Sequence, residues 1–202
     1  MARRLSRHPE PGESLSAASL PLAAWDRDLF RNHPARKDPI HFGKTGDHRF
    51  DDPKGEYGVL YTSGTWLGAF IETAGHHTGN PFVTASWLAA RSLAIIEARR
   101  KLRLVDLRGR GLARLGADAR LTTGELALAQ RWSRALWEHP CKADGVCYAS
   151  RHDPRQVSVA LFDRAQRSLR AQALGSLGSR PLEVRVAEAL DHYGFGLIVD
   201  GG

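Results

Sequence analysis

Glu72 sits where a carboxylate needs a reason to be. It falls in TWLGAFIETAG (65–75) among Leu67, Phe70 and Ile71, and an unpaired carboxylate in such company is costly unless a partner or a function retains it. His76 follows at i,i+4, which would put both side chains on one helix face. A zinc site takes three or four ligands, however, and none of the nine histidines supplies the others at a matching spacing. No metal is expected. Other familiar signatures are missing: there is no GxGxxG after a strand, no Walker phosphate loop, no HExxH and no GxSxG elbow. Cys141 and Cys147 are not spaced as CxxC and read as small apolar residues in a reducing compartment.

The segment from Phe42 to Thr73, FGKTGDHRFDDPKGEYGVLYTSGTWLGAFIET, carries an ordered run: Arg49-Phe50, then Gly55 and Gly58, then Leu60-Tyr61, then Glu72. Arg31 precedes it in LFRNHP, DGVCYAS follows with Ser150, and ALFD comes after that. In this order and spacing the chain resembles the RES-domain family, named for its Arg, Glu and Ser residues, whose members include toxins of bacterial toxin–antitoxin pairs. The resemblance runs from about Leu29 to the C-terminus. His48 stands where many relatives have glycine.

That resemblance implies an ADP-ribosyltransferase-like fold and cleavage of the nicotinamide–ribose bond of NAD+, by hydrolysis or phosphorolysis. NAD+ is then the substrate, with no tightly bound cofactor. The residues suit the reaction. Nicotinamide leaves from a cationic ring, so neither a metal nor a strong acid is required, and positive charge develops on the ribose. A carboxylate beside that carbon stabilises the transition state selectively, which is the role the resemblance implies for Glu72. Arg49 and Arg31 offer forked donors to the pyrophosphate, Tyr61 an aromatic face to the nicotinamide, and Ser150 a hydroxyl to a phosphate or ribose oxygen. The expected site is therefore Glu72, Arg49, Tyr61 and Ser150, with Arg31 adding to substrate binding. Each alone has a plainer reading, as a surface charge, a strand aromatic or a turn former. The set carries the argument. The resemblance further implies a helix-turn-helix (Xre-type) antitoxin that blocks the cleft, and a toxin homodimer.

The elements that must hold these residues are legible in part. GVLYTS (58–63) reads as a buried strand, and the helix after it has Thr65 as N-cap and Gly75 as stop. Strands are expected over 92–98, 101–107, 145–150, 157–163 and 196–200. Helices are expected over 122–139, opened by a Thr122-x-x-Glu125 capping box, and from Leu182 to His192 with Gly194 closing it. Residues 25–53 read as polar and turn-rich, and residues 1–20 as a mobile lead-in to a single domain over 21–202. The interleaving is not a regular βαβ alternation, so α+β is favoured over a doubly wound sheet, with a split central sheet and the cleft between its halves.

Composition sets the bounds. With 202 residues, 42% hydrophobic and 25% charged, one globular domain is the default and wholesale disorder is excluded. No apolar run is long enough for a membrane span or a secretory signal, so a cytoplasmic protein is expected. The net charge is +7, of which residues 99–120 carry eight basic against two acidic side chains. That stretch lacks interleaved aromatics for base stacking and reads as a solvated strand edge rather than a DNA-binding platform. Two other functions compete with NAD+ degradation: transfer of ADP-ribose to a protein, and a non-enzymatic basic adaptor for nucleic acid.

Overall fold

Ten strands and six helices, with three short 3-10 turns, arrange the described residues 8–75, 79 and 81–199 of a computed structural model. The strands are β1 (Leu22–Trp25), β2 (Leu29–Pro34), β3 (Val59–Ser63), β4 (Phe82–Thr84), β5 (Arg91–Ala98), β6 (Leu102–Asp106), β7 (Gly145–Ala149), β8 (Val157–Phe162), β9 (Leu169–Ser176) and β10 (Gly196–Ile198). The helices are α1 (Trp66–Ala74), α2 (Ala85–Ala89), α3 (Arg110–Arg114), α4 (Arg120–Thr123), α5 (Leu126–Glu138) and α6 (Glu183–Tyr193). Eight strands form one sheet in the order β1-β6-β7-β8-β3-β2-β5-β9, while β10 and β4 pair separately. Only β6–β7 is parallel within the large sheet. The α+β expectation holds.

The sheet is split in its middle. β3 pairs with β8 over five residues and β2 with β5 over six, yet β2 and β3 share the single pair Phe30↔Ser63. Beyond that pair the two strands diverge. Arg31 holds the loop that follows, donating to the carbonyls of Pro39 and His41, each at 3.1 Å, and Gly43 bridges to Val59.

Two apolar layers cover one face on either side of the split. α5 presents Leu128, Ala129, Trp132 and Leu136 to Phe50, Val146, Tyr148 and Phe162. α1 and α6 bring Trp66, Phe70, Val186 and Leu190 together with Leu93. α1 begins as the sequence implies: the Thr65 hydroxyl accepts from the Gly68 N–H at 2.9 Å, and Gly75 ends the helix. Gly68 is required because a Cβ there would collide with Ser63 Oγ, so the helix lies directly on β3. Gly194 closes α6 in the left-handed conformation, φ 67°.

Several expectations change. β2 lies inside the segment read as turn-rich. The capping box does not form: Gly124 separates α4 from α5, Glu125 makes no side-chain cap, and the Thr122 hydroxyl donates back to the Ala119 carbonyl. Basic residues of 99–120 do not guard an edge, since β6 lies between β1 and β7. Arg100, Arg108 and Arg120 are each paired with an aspartate, at 2.6, 2.7 and 2.6 Å. Residues 1–7 of the expected lead-in lie outside the described residues. Residues 8–20 pack against the domain, burying Leu15 and Leu20 and receiving the Trp132 indole N–H at the Pro9 carbonyl.

Candidate active site

The divergence of β2 and β3 opens a cavity of about 620 Å³. Strand side chains alternate between faces, and paired residues share one. The registers Phe30↔Ser63, Ser63↔Ser158 and Tyr148↔Ser158 therefore put Phe30, Asn32, Tyr61, Ser63, Ser158 and Tyr148 on a single face. That face carries α1, and α1 carries Glu72. The cavity wall includes Arg31, Asn32, Arg49, Tyr61, Glu72, Tyr148, Arg151 and His152. Four of the five expected residues thus meet.

Glu72 is half-buried, and its Oε1 accepts from the Ser158 hydroxyl at 3.1 Å. Burial and then the Glu72 charge push the nearby Tyr148 phenol up, so it stays protonated. The Ser158 hydrogen bond holds the carboxylate at one edge of the cavity.

Tyr61 is held by both functions of its hydroxyl. It donates to Asp51 Oδ1 and accepts from the Phe50 N–H, both at 2.9 Å. Burial, followed by the Asp51 charge, raises its pKa well above the ordinary value. The hydroxyl is committed, which leaves the ring for a ligand. His48 packs edge-on against that ring at 5.4 Å.

Arg49 comes from the loop joining β2 to β3, which α5 supports. Gln130 donates to the Gly46 and His48 carbonyls, and Ser133 to the Phe50 carbonyl. Arg49 spends one N–H on the Gly124 carbonyl at 3.1 Å. Burial first, then the charge of Arg151, lowers its pKa. The half-buried Arg49 and the exposed Arg151 line the same cleft, and their repulsion favours an anion there. Arg31 is lowered to about 10 by burial, against the raising effect of Asp38, and its contacts run to the loop over 35–43.

Ser150 is placed differently. It is buried, does not line the cavity, and its Oγ accepts from the N–H groups of His152 and Asp153 at 3.1 and 3.2 Å. It shapes the turn that presents Arg151 and His152. Those two, with Tyr148, Ser158 and Asn32, were missed from sequence; strand alternation could have flagged the last three once the pairing was known. The Glu72–His76 spacing falls on His76, outside the described residues.

The sequence model of the RES domain matches residues 24–183. The chain belongs to the RES domain family. Within it, the chain is 38% identical over 112 residues to a protein of Sinorhizobium fredii described as probable toxin y4kH, a match covering 53% of this chain and 83% of that one. Its fold is that of a chain in the crystal structure of the M. tuberculosis MbcT–MbcA toxin–antitoxin complex. There the TM-score is 0.60 at 16% identity, covering 84% of this chain and 92% of that one. The α+β fold, with its split central sheet and flanking helices, is thus shared with that chain.

Proposed function

We propose that this RES-domain protein is the toxin of a toxin–antitoxin pair and acts by cleaving the nicotinamide–ribose bond of NAD+. The observation carrying the chemistry is the convergence in one cleft of a fixed carboxylate, Glu72, with the ring of Tyr61 and the guanidiniums of Arg49 and Arg151. The relatives' descriptions as toxins support the biological half.

The pyrophosphate lies between Arg49 and Arg151, relieving their repulsion, and the nicotinamide packs on the Tyr61 ring. The C–N bond to the ribose breaks, and its electron pair neutralises the pyridinium nitrogen. Positive charge gathers on the ribose beside Glu72, whose attraction is strongest at that moment. An oxygen of water or phosphate then bonds to the same carbon, and with water the released proton passes to solvent. Ser150 contributes through the turn it caps rather than by touching substrate. An antitoxin covering the cleft mouth completes the reading.

The test is nicotinamide release from NAD+ by purified protein, with products separated in the presence and absence of phosphate. ADP-ribose marks hydrolysis and ADP-ribose phosphate marks phosphorolysis. If the folded protein frees no more nicotinamide than a heat-inactivated control, the proposal fails.

A further inference from the structure

We propose that Asn32 reads the carboxamide of the nicotinamide group and so selects NAD+ over its carboxylate analogue, an assignment that rests on the cleft being an NAD+-cleaving site. Asn32 lines the cavity, and both its side-chain Oδ1 and Nδ2 are buried without a hydrogen-bond partner among the described residues. A buried amide with neither end satisfied is unfavourable in the free protein and calls for an explanation.

Its neighbours offer none. On one side the register pairs it with Leu93, which is apolar and fully buried. Thr73 of α1, which lines the same cavity, has given its hydroxyl proton to the Ala69 carbonyl at 3.0 Å. On the other side the ladder has stopped. Phe30 pairs with Ser63, so continued pairing would put Asn32 opposite Tyr61, but the strands have parted there. Asn32 and Tyr61 are therefore opposite lips of the split, on the one face that also carries α1 and Glu72. The Tyr61 hydroxyl is spent on Asp51 and Phe50, so the Asn32 amide is the unused polar group across from the ring.

An unused donor and acceptor in one plane match a primary carboxamide, with two parallel hydrogen bonds. The amino edge of adenine has the same pattern. Position decides between them: Glu72 marks the reacting end, and Asn32 shares its face. A carboxylate in place of the carboxamide has no donor to give and meets the Asn32 oxygen with like polarity.

The experiment uses the whole chain and three probes: NAD+, nicotinic acid adenine dinucleotide, and nicotinamide hypoxanthine dinucleotide. Wild type should prefer NAD+ to the acid by at least about tenfold in kcat/KM, because a site built on hydrogen bonds rejects a mismatched group strongly. Asn32→Leu replaces the amide with an apolar group of similar shape. It should leave the melting temperature unchanged or raised, cut kcat/KM for NAD+ by about tenfold or more, and abolish the preference over the acid.

Millimolar nicotinamide should also raise the melting temperature of wild type but not of Asn32→Leu, and nicotinate should raise neither. A marked drop in the variant's melting temperature would show that the amide is bonded in the free protein, against the proposal. Retained selectivity in Asn32→Leu, or a nicotinamide shift equal in both proteins, would also overturn it. A change confined to the hypoxanthine probe would assign the amide to adenine instead. If wild type cleaves none of the dinucleotides, the proposed function falls, while the nicotinamide shift still decides what Asn32 binds.

Discussion

Glu72→Gln separates charge from shape at the centre of the cleft. The replacement has nearly the same volume, and its amide oxygen can keep the Ser158 hydrogen bond that Glu72 Oε1 accepts at 3.1 Å. α1 should hold its place, since Thr65 caps it and Gly68 seats it on β3 independently of residue 72. What disappears is the negative charge. At an effective dielectric of about 20, opposite unit charges 4 Å apart attract by about 4 kcal/mol. The ribose carries only part of a unit at the transition state, so about 3 kcal/mol is at stake, similar to removal of one oxyanion-hole donor. At 1.36 kcal/mol per factor of ten, turnover should fall roughly a hundred- to a thousandfold. The ground-state pyridinium lies beside the same carboxylate, so KM should rise, but by less than about tenfold. Nicotinamide release is followed for both proteins at equal concentration after a melting curve confirms that each is folded. Were Glu72 an ordinary helix residue, Gln would cost within about 0.5 kcal/mol of stability and nothing in rate. Turnover within threefold of wild type would refute the mechanism.

Arg49→Lys keeps the charge and loses the fork that spans Gly124 and the cleft, so KM for NAD+ should rise about tenfold with kcat changing much less; an unchanged KM would remove Arg49 from pyrophosphate binding. Tyr61→Phe retains the ring but leaves the Phe50 N–H and Asp51 Oδ1 without their partner. The protein should lose about 1–2 kcal/mol of stability in urea melts, while cleavage persists because the ring is what the ligand meets. Asp144 supplies a pH-dependent prediction. Burial pushes its carboxyl up, but the forked pair from Arg100 and the Arg103 N–H outweigh this and hold it below the ordinary 3.8. A depressed carboxylate stabilises the fold above its unfolded pKa and loses that contribution as pH falls through the folded one. Arg100→Gln should therefore cost about 1.5–3 kcal/mol at pH 7 and markedly less near pH 2, as urea melts across that range would show; an equal loss at both pH values would contradict the pairing.

How much of this was legible in the sequence follows from how local each signal is. β3 and α1 were readable because VLYTS is apolar and Thr65 and Gly75 bracket a single helix. β2 was not, for LFRNHP carries Arg31, Asn32 and His33 where an ordinary internal strand would be apolar, and the polar residues are there because the strand lines the split. β9 was missed for the opposite reason: LRAQALGS lies at a sheet edge, with one buried residue and no alternation, so no burial pattern marks it. The site divides in the same way. Arg49, Tyr61 and Glu72 fall within 24 residues of one another and could be recognised together as a run. Ser158, Tyr148 and Asn32 come from three other strands, and only the pairing Ser63↔Ser158, Tyr148↔Ser158 and Phe30↔Ser63 reveals that they share a face. Pairing between strands distant in sequence leaves no mark on any one of them. Ser150 shows the converse, for its motif was intact yet its hydroxyl turned inward to the N–H groups of residues 152 and 153. A conserved-looking letter names a position, and the hydrogen bonds decide whether that position touches substrate or aims its neighbours, here Arg151 and His152, at it.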